Sequence, residues 1–248
     1  MYNKVLTGIL VVLLIAIIVI LSYLGVSYFT KYSNEKDAEK FLNEEFDTMI
    51  VDLSQKKPDE PDTNKQEQPD QNQNTKQNNT NKKSNNNNNT GYYKGFKVAG
   101  KIELPKIRKQ FPVLDAPNEA KAIEVAVNKV YGPDLNTPGN AVIAGHNYNN
   151  GTFFSNNKKL NVGDKIYITD LKGNRVQYTI FSKYYAPETD NSFFTRQTNG
   201  KAEVTLYTCY ATGANRLIIC ARADLKDIYL RENSKKFAIS IDKKIKMG

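Results

Sequence analysis

The apolar positions divide the chain into four stretches. From Val5 to Thr30, 26 residues carry no charge, and positions 9–21 are almost wholly Ile, Leu and Val. About 20 such residues cross the hydrocarbon layer as a helix, whereas the apolar region of a cleaved signal peptide runs to about 7 to 15. No small-residue cleavage pattern follows between Leu24 and Thr30. Residues 1–30 are therefore expected to form a retained, single-pass membrane anchor. Lys4 on one flank and Lys31, Lys36 and Lys40 on the other leave the orientation undecided by charge.

Next, Ala38, Phe41, Leu42, Phe46, Met49, Ile50 and Leu53 recur at helical spacing on one stripe. Ser33 suits an N-cap, with Glu35 and Asp37 in the first turn. Residues 31–54 are expected to be an amphipathic juxtamembrane helix, continuing from the anchor and resting on the membrane surface or on the domain beyond. From Gln55 to Thr90, 36 residues lack any aliphatic or aromatic side chain and end in the run Asn85–Asn89. Such a segment cannot bury enough surface to offset its ordering entropy. Residues 55–90 are expected to be a disordered tether, with a coil's reach of roughly 30 to 36 Å.

Residues 91–248 show mostly the alternation of strands. Val98–Ile107, Gln110–Leu114, Ala141–Ala144, Lys165–Asp170, Val176–Tyr185, Glu203–Thr208 and Leu217–Arg222 are short runs rich in Val, Ile, Tyr and Thr. Lys172, Gly173 and Asn174 suit a hairpin turn between two of them. One helical pattern interrupts, over Asn118–Val130, with Ala122, Val125, Ala126 and Val130 on one face and Pro117 and Gly132 at its limits. Many short strands with one or two short helices predict a mostly β domain, a barrel or a sandwich.

Charge sharpens this division. The chain carries 35 Lys and Arg against 26 Asp and Glu, a net +9. Residues 91–248 hold a net +11 and the first 90 a net −2, so the basic character belongs wholly to the domain. That suits an anionic partner in general and requires no nucleic acid. One histidine and two cysteines give no ligand cluster at metal-like spacing, and no phosphate-binding or dinucleotide-binding glycine loop occurs. No metal and no cofactor is expected.

The lone histidine is also the lone near-neutral proton carrier. His146 follows the apolar run Ala141–Ala144 and Gly145 and enters a loop rich in Asn and Gly. Cys209 closes the run Val204–Thr208, and Arg216 opens Leu217–Cys220. Three competent side chains thus stand at strand ends beside loops. Acyl transfer through a thioester needs these types: a thiolate to attack an amide carbonyl, an imidazole to move the proton to the leaving amine, and a cation or N–H groups for the oxyanion. Placement alone leaves open the plainer reading, a small buried thiol and a structural histidine. Cys220, mid-strand between Ile219 and Ala221, is expected to be that inert kind. A Cys209–Cys220 disulfide is not expected, because one residue closes its strand and the other sits inside the next.

Thr205-Leu206-Tyr207-Thr208-Cys209 resembles the TLxTC signature of sortases, the membrane-anchored cysteine transpeptidases of Gram-positive bacteria. Ala144-Gly145-His146-Asn147 resembles their histidine motif, and Arg216 stands where they carry an arginine. The similarity runs from about Val98 to Asp224. It implies an eight-stranded β-barrel with one or two short helices, preceded by a transmembrane helix, at the cell membrane with the catalytic domain on the extracellular face. By the same resemblance, Cys209 is the nucleophile that cleaves an LPxTG-type sorting signal between Thr and Gly, His146 the general acid/base, and Arg216 the oxyanion or substrate partner. Thr208, Phe193 and Phe194 are implied substrate contacts, and Arg222 is the alternative arginine. The implied partners are sorting-signal proteins and an amine of a lipid-linked peptidoglycan precursor. Neither the lid motif nor the second membrane helix of pilus-polymerising members is evident, which points to the general wall-anchoring class (class A-like) or the sporulation-linked class (class D-like). A membrane-tethered, non-catalytic binding module for anionic wall polymers is the rival reading.

Overall fold

The structure is a computed structural model that describes residues 2–55, 91–210 and 213–224. The expected tether over 55–90, Gln55 apart, and the polar C-terminal segment lie outside the described residues. Helix α1 (Tyr2–Glu44) continues unbroken from the apolar run into the amphipathic stretch, and α2 (Phe46–Gln55) follows after Glu45. Nine strands come next: β1 (Tyr92–Tyr93), β2 (Phe96–Leu104), β3 (Lys109–Leu114), β4 (Val127–Tyr131), β5 (Gly139–Ala144), β6 (Lys165–Asp170), β7 (Arg175–Pro187), β8 (Ala202–Tyr210) and β9 (Asn215–Ala223). A single turn of helix, α3 (Ala122–Val125), precedes β4.

The strands pair in the order β2-β3-β4-β5-β8-β9-β7-β6, and β6 pairs back onto β2. This closes an eight-stranded barrel, with β1 as a short extra strand beside β2. Closure leaves the barrel without an open edge. Two pairings are parallel, β3 with β4 and β5 with β8; the others are antiparallel. Residue alternation sends Ile102, Leu104, Phe111, Ile143, Ile166, Ile168, Val204, Leu206, Leu217 and Ile219 into one interior cluster. Each is essentially buried, and each such side chain contributes on the order of 1.5 to 3 kcal/mol on burial. At Gly100 of β2, a Cβ would stand 2.2 Å from the Thr169 carbonyl oxygen of β6, so the closing strands meet where only glycine fits.

Three local expectations change. Ser33, read as an N-cap, lies inside α1, which runs through it without a break, so no helix starts there. The helix read over 118–130 shrinks to α3, and Val127–Tyr131 is a strand. Val127 is fully buried in the barrel and pairs with Val113, while Asn128 pairs with Leu114 on one side and Ala144 on the other. Without β4 the barrel would not close, and this non-local pairing outweighs a weak helical pattern. The run Val98–Ile107 also stops early, because Pro105 cannot donate to a ladder and instead opens a 3-10 turn over Pro105–Ile107.

The stripe Ala38, Phe41, Leu42, Phe46 and Met49 is buried against Tyr93, Val98, Leu114, Ala116, Ala122 and Ala126 on the outside of the barrel. Ion pairs from Lys94 to Asp37 and from Lys109 to Glu35 flank this contact. The remaining length of α1 exposes its Leu, Ile and Val side chains all round. It is the one helix among the described residues long and apolar enough to cross a membrane.

Candidate active site

The β8–β9 ladder brings the two strand-end residues together. Cys209 lies directly opposite Arg216, just as Tyr207 faces Ile218 and Thr205 faces Cys220. Val204 and Leu206 point into the barrel, so Thr205, Tyr207 and Cys209 share its outer face. Cys209 is exposed and free. On the other side of β8, Ala144 of β5 pairs in parallel with Tyr207, and the Gly145 N–H donates to the Tyr207 carbonyl at 3.2 Å. β5 ends at Ala144, and the same register carried two residues further would set His146 beside Cys209.

The histidine loop is held from several sides. The ring of Phe154 lies against Gly145, where an added Cβ would meet Phe154 Cδ2 at 2.5 Å, so the residue before the histidine has to be glycine. The Phe154 N–H donates to the His146 carbonyl at 3.0 Å, and Asn147 Nδ2 donates to the Cys209 carbonyl at 2.9 Å. The His146 ring stacks on Tyr148, with centroids 4.8 Å apart. His146 Nε2 lies 2.9 Å from Glu124 Oε1, and the Tyr148 hydroxyl donates to Glu124 Oε2 at 2.8 Å. Burial, reinforced by the bond to Glu124, holds the Tyr148 phenol well above its usual range.

Arg216 donates from Nη1 to the carbonyls of Gly213 and Asn215 and reaches Glu188 Oε2 at 3.5 Å. Burial also raises the Tyr207 phenol, with the charge of Arg216 opposing it, so the guanidinium is felt along the same face. Arg222, the alternative arginine, pairs with Glu203 at 2.6 Å. It lies about 20 Å along β9 from Arg216, at about 3.3 Å per residue.

The other sequence candidates fall as follows. Thr208 points into the barrel mouth, with its Oγ1 buried and lacking a hydrogen-bond partner. Phe193 is buried on the outer face among Val142, Ala186, Ile218 and Cys220, so it pins the β7–β8 connection rather than presenting a free surface. Phe194 is partly exposed, 5.8 Å from Tyr207 and 5.6 Å from Tyr131 between ring centroids. Cys220 is buried opposite Thr205, about 13 Å along the ladder from Cys209, and both thiols are free. Among the described residues no group of three His, Cys, Asp or Glu is arranged to hold a metal ion.

Glu124 and Tyr148 escaped the sequence reading, and Asn147 entered it only as part of the histidine motif, without its bond to the Cys209 carbonyl. A lone acid on the polar side of a helical pattern, and an Asn and a Tyr in an Asn-rich loop, carry no signal of their own. Extending the β4–β5 register, in which Asn128 faces Ala144, would have set Ala126 against His146 and Glu124 against Tyr148.

Residues 102–224, nearly the whole barrel, match the family model of the sortase domain. These residues are a sortase domain. A curated relative, Sortase A of Bacillus anthracis, is 31% identical over 134 residues, which cover 52% of this chain and 60% of that relative. Similar solved structures include a lid mutant of Sortase A from Corynebacterium diphtheriae, at 27% identity and a TM-score of 0.47, covering 52% of this chain and 71% of that one. Another is sortase C of Clostridium perfringens with the C-terminal cell wall sorting motif, at 23% identity and a TM-score of 0.46, covering 51% and 70%. On the outer face of this barrel the exposed Cys209 lies opposite Arg216 in the β8–β9 ladder.

Proposed function

We propose that this chain is a membrane-anchored cysteine transpeptidase that cleaves an LPxTG-type sorting signal between Thr and Gly and joins the new acyl end to a peptidoglycan-precursor amine. The observation that carries the reading is the exposed thiol of Cys209 with Arg216 opposite it in the ladder, while the loop that carries His146 leaves the neighbouring strand β5 and is tied to the Cys209 carbonyl through Asn147. In this reading Cys209 Sγ gives its proton to His146 and attacks the Thr carbonyl carbon. Arg216, swinging from the Gly213 carbonyl and Glu188, holds the carbonyl oxygen as it takes negative charge. The tetrahedral intermediate collapses, the C–N bond breaks, and His146 returns the proton to the departing Gly amine. An incoming amine then attacks the thioester and passes a proton to His146; as the C–S bond breaks, His146 hands that proton to the departing Cys209 sulfur, which restores the thiol.

Phe194 and the β7–β8 connection suit a wall of the sorting-signal groove, and Thr208 Oγ1 a hydrogen bond at the barrel mouth. The apolar length of α1 supports a single-pass anchor, with the domain on the extracellular side where the wall lies. The subclass is the general wall-anchoring class or the sporulation-linked class. No cofactor is invoked.

The test is turnover of a fluorogenic LPxTG-type peptide by the full chain in detergent micelles, with and without an amine acceptor. Cys209→Ala and His146→Ala should abolish it, and Arg216→Ala should lower kcat about 10²- to 10³-fold, the cost of losing one oxyanion donor. Undiminished turnover by Cys209→Ala would overturn the mechanism. Binding of anionic wall polymer that is indifferent to Cys209→Ala, in a chain without turnover, would favour the binding-module reading.

A further inference from the structure

Glu124 takes no part in the steps above, yet its carboxylate is shared between two side chains of the histidine loop. One oxygen lies 2.9 Å from His146 Nε2 and the other accepts the Tyr148 hydroxyl at 2.8 Å, while the Tyr148 ring stacks on His146. The three groups form a closed set. Its acid is fixed in place by backbone: α3 ends at Val125, and Val127 and Asn128 enter the barrel between β3 and β5. Ala122 and Ala126 are fully buried, which turns Glu124 outward between them.

The membrane-proximal helix braces the set from outside. Asn34 Nδ2 of α1 donates to the Glu124 carbonyl at 2.9 Å, and Lys31 Nζ stands 4.3 Å from the centre of the Tyr148 ring. The same helix is seated on α3 through its apolar stripe, where Ala38 and Phe41 share a cluster with Ala122 and Ala126.

A carboxylate only accepts hydrogen bonds, so the contact to Nε2 requires the imidazole proton to be on Nε2. A neutral ring with its proton there offers a bare Nδ1. We propose that Glu124 is the positioning residue of this site: it holds His146 in the Nε2–H tautomer, so that Nδ1 is the nitrogen that exchanges a proton with Cys209. The proton leaves Cys209 as the S–H bond breaks and arrives on Nδ1, giving an imidazolium whose Nε2–H faces the Glu124 carboxylate. It departs from Nδ1 to the leaving amine as the C–N bond breaks, which restores the neutral tautomer. The purpose of that proton rests on the transpeptidase reading; the tautomer itself does not.

The chain has a single histidine, so ring-labelled histidine reports on one residue only. The experiment is the long-range proton–nitrogen spectrum of ¹⁵N-His full chain in detergent micelles, run on wild type, Glu124→Ala, Glu124→Gln and Tyr148→Phe, alongside peptide turnover. The Glu124 side chain is 58% exposed, so its two substitutions leave the fold intact, and Tyr148→Phe keeps the ring that packs on His146 and Phe153. Wild type should show the Nε2–H pattern, and Glu124→Ala should move it toward an average of the two tautomers. Glu124→Gln should keep the wild-type pattern, because its amide carbonyl still accepts. In turnover, Glu124→Ala should lower kcat about tenfold with KM within about twofold, Glu124→Gln should recover to within about threefold of wild type, and Tyr148→Phe should lose about two- to threefold. A wild-type ring protonated on Nδ1, or a Glu124→Ala chain with unchanged spectrum and kcat, overturns the assignment. If wild type turns over no sorting peptide, the transpeptidase reading falls, while the spectra still decide the position of the proton.

Discussion

Replacing Glu203 should destabilise the barrel more than any other single charge removal, and it tests how the candidate site is supported. The Glu203 side chain is fully buried on the outer face of β8, where Arg196 from the β7–β8 connection and Arg222 from β9 both bond its carboxylate. The two arginines differ: the Arg196 side chain is 23% exposed and Arg222 is 39% exposed. Breaking a buried pair by removing one partner costs about 3 to 5 kcal/mol, whereas an exposed pair is worth about 0 to 1. Both guanidiniums lie over the Phe181 ring, so exposure and further bonds separate them: Arg222 can rehydrate after the loss, whereas Arg196 is more buried and also tied to Asn140 Oδ1, so less of its charge returns to water. Glu203→Ala should therefore cost about 3 kcal/mol, at the lower end of the buried range. At about 3 to 4 °C per kcal/mol for a domain of this size, Tm should fall by about 10 °C. The assay is thermal unfolding of the full chain in detergent, followed by near-ultraviolet circular dichroism, with Arg196→Ala and Arg222→Ala beside it. The expected order of loss is Glu203, then Arg196, then Arg222. Because Arg196 pins the β7–β8 connection, Glu203→Ala should also raise the KM for sorting peptide while kcat holds. A Glu203→Ala chain within about 2 °C of wild type, or an Arg222→Ala loss exceeding it, would refute the reasoning.

Three further outcomes follow from the same geometry. Iodoacetamide should label Cys209 and spare Cys220 in the folded chain, because burial pushes the Cys220 thiol up and closes access; denaturant should make both react, as mass spectrometry would read. Burial would raise Glu103, but the bidentate bond from Arg175, at 3.0 and 2.9 Å, and the charges of Arg175 and Lys101 bring it below its usual range. A depressed carboxylate stabilises above its unfolded value of about 4.3 and loses that contribution as pH falls through the folded value, so Glu103→Gln should cost about 1 kcal/mol near pH 7 and nothing near pH 2 in urea titrations. Phe46→Ala removes a fully buried ring of α2 and should cost about 3 kcal/mol, freeing the helical segment for limited proteolysis ahead of the barrel; simultaneous cleavage of both would contradict separate packing.

The outward position of Cys209 was legible from β8 alone, since Val204 and Leu206 fix which parity faces the core and Thr205, Tyr207 and Cys209 take the other. The inert setting of Cys220 and the turn at Lys172–Asn174 were equally local. The strand β4 was not legible: Val127–Tyr131 reads as the tail of a helix until β3 and β5 supply partners 14 and 16 residues away for Val127 and Asn128, at Val113 and Ala144. Phe193 and Phe194 read alike in sequence, yet one is packed beneath the β7–β8 connection and the other is partly open, because only the fold decides which ring meets the outer face of the sheet.

By itself, then, the order of residues determined where apolar surface must be hidden, which segments alternate as strands, and which few side chains can do acyl-transfer chemistry. Those follow from local periodicity and from the scarcity of histidine and cysteine. Only the tertiary structure set Cys209 opposite Arg216, ran the strand that leads into His146 parallel to a strand more than 60 residues on, and delivered Glu124 and α1 to the loop of that histidine. Ladder register and helix docking are agreements between distant segments, and no local pattern encodes the distance between them.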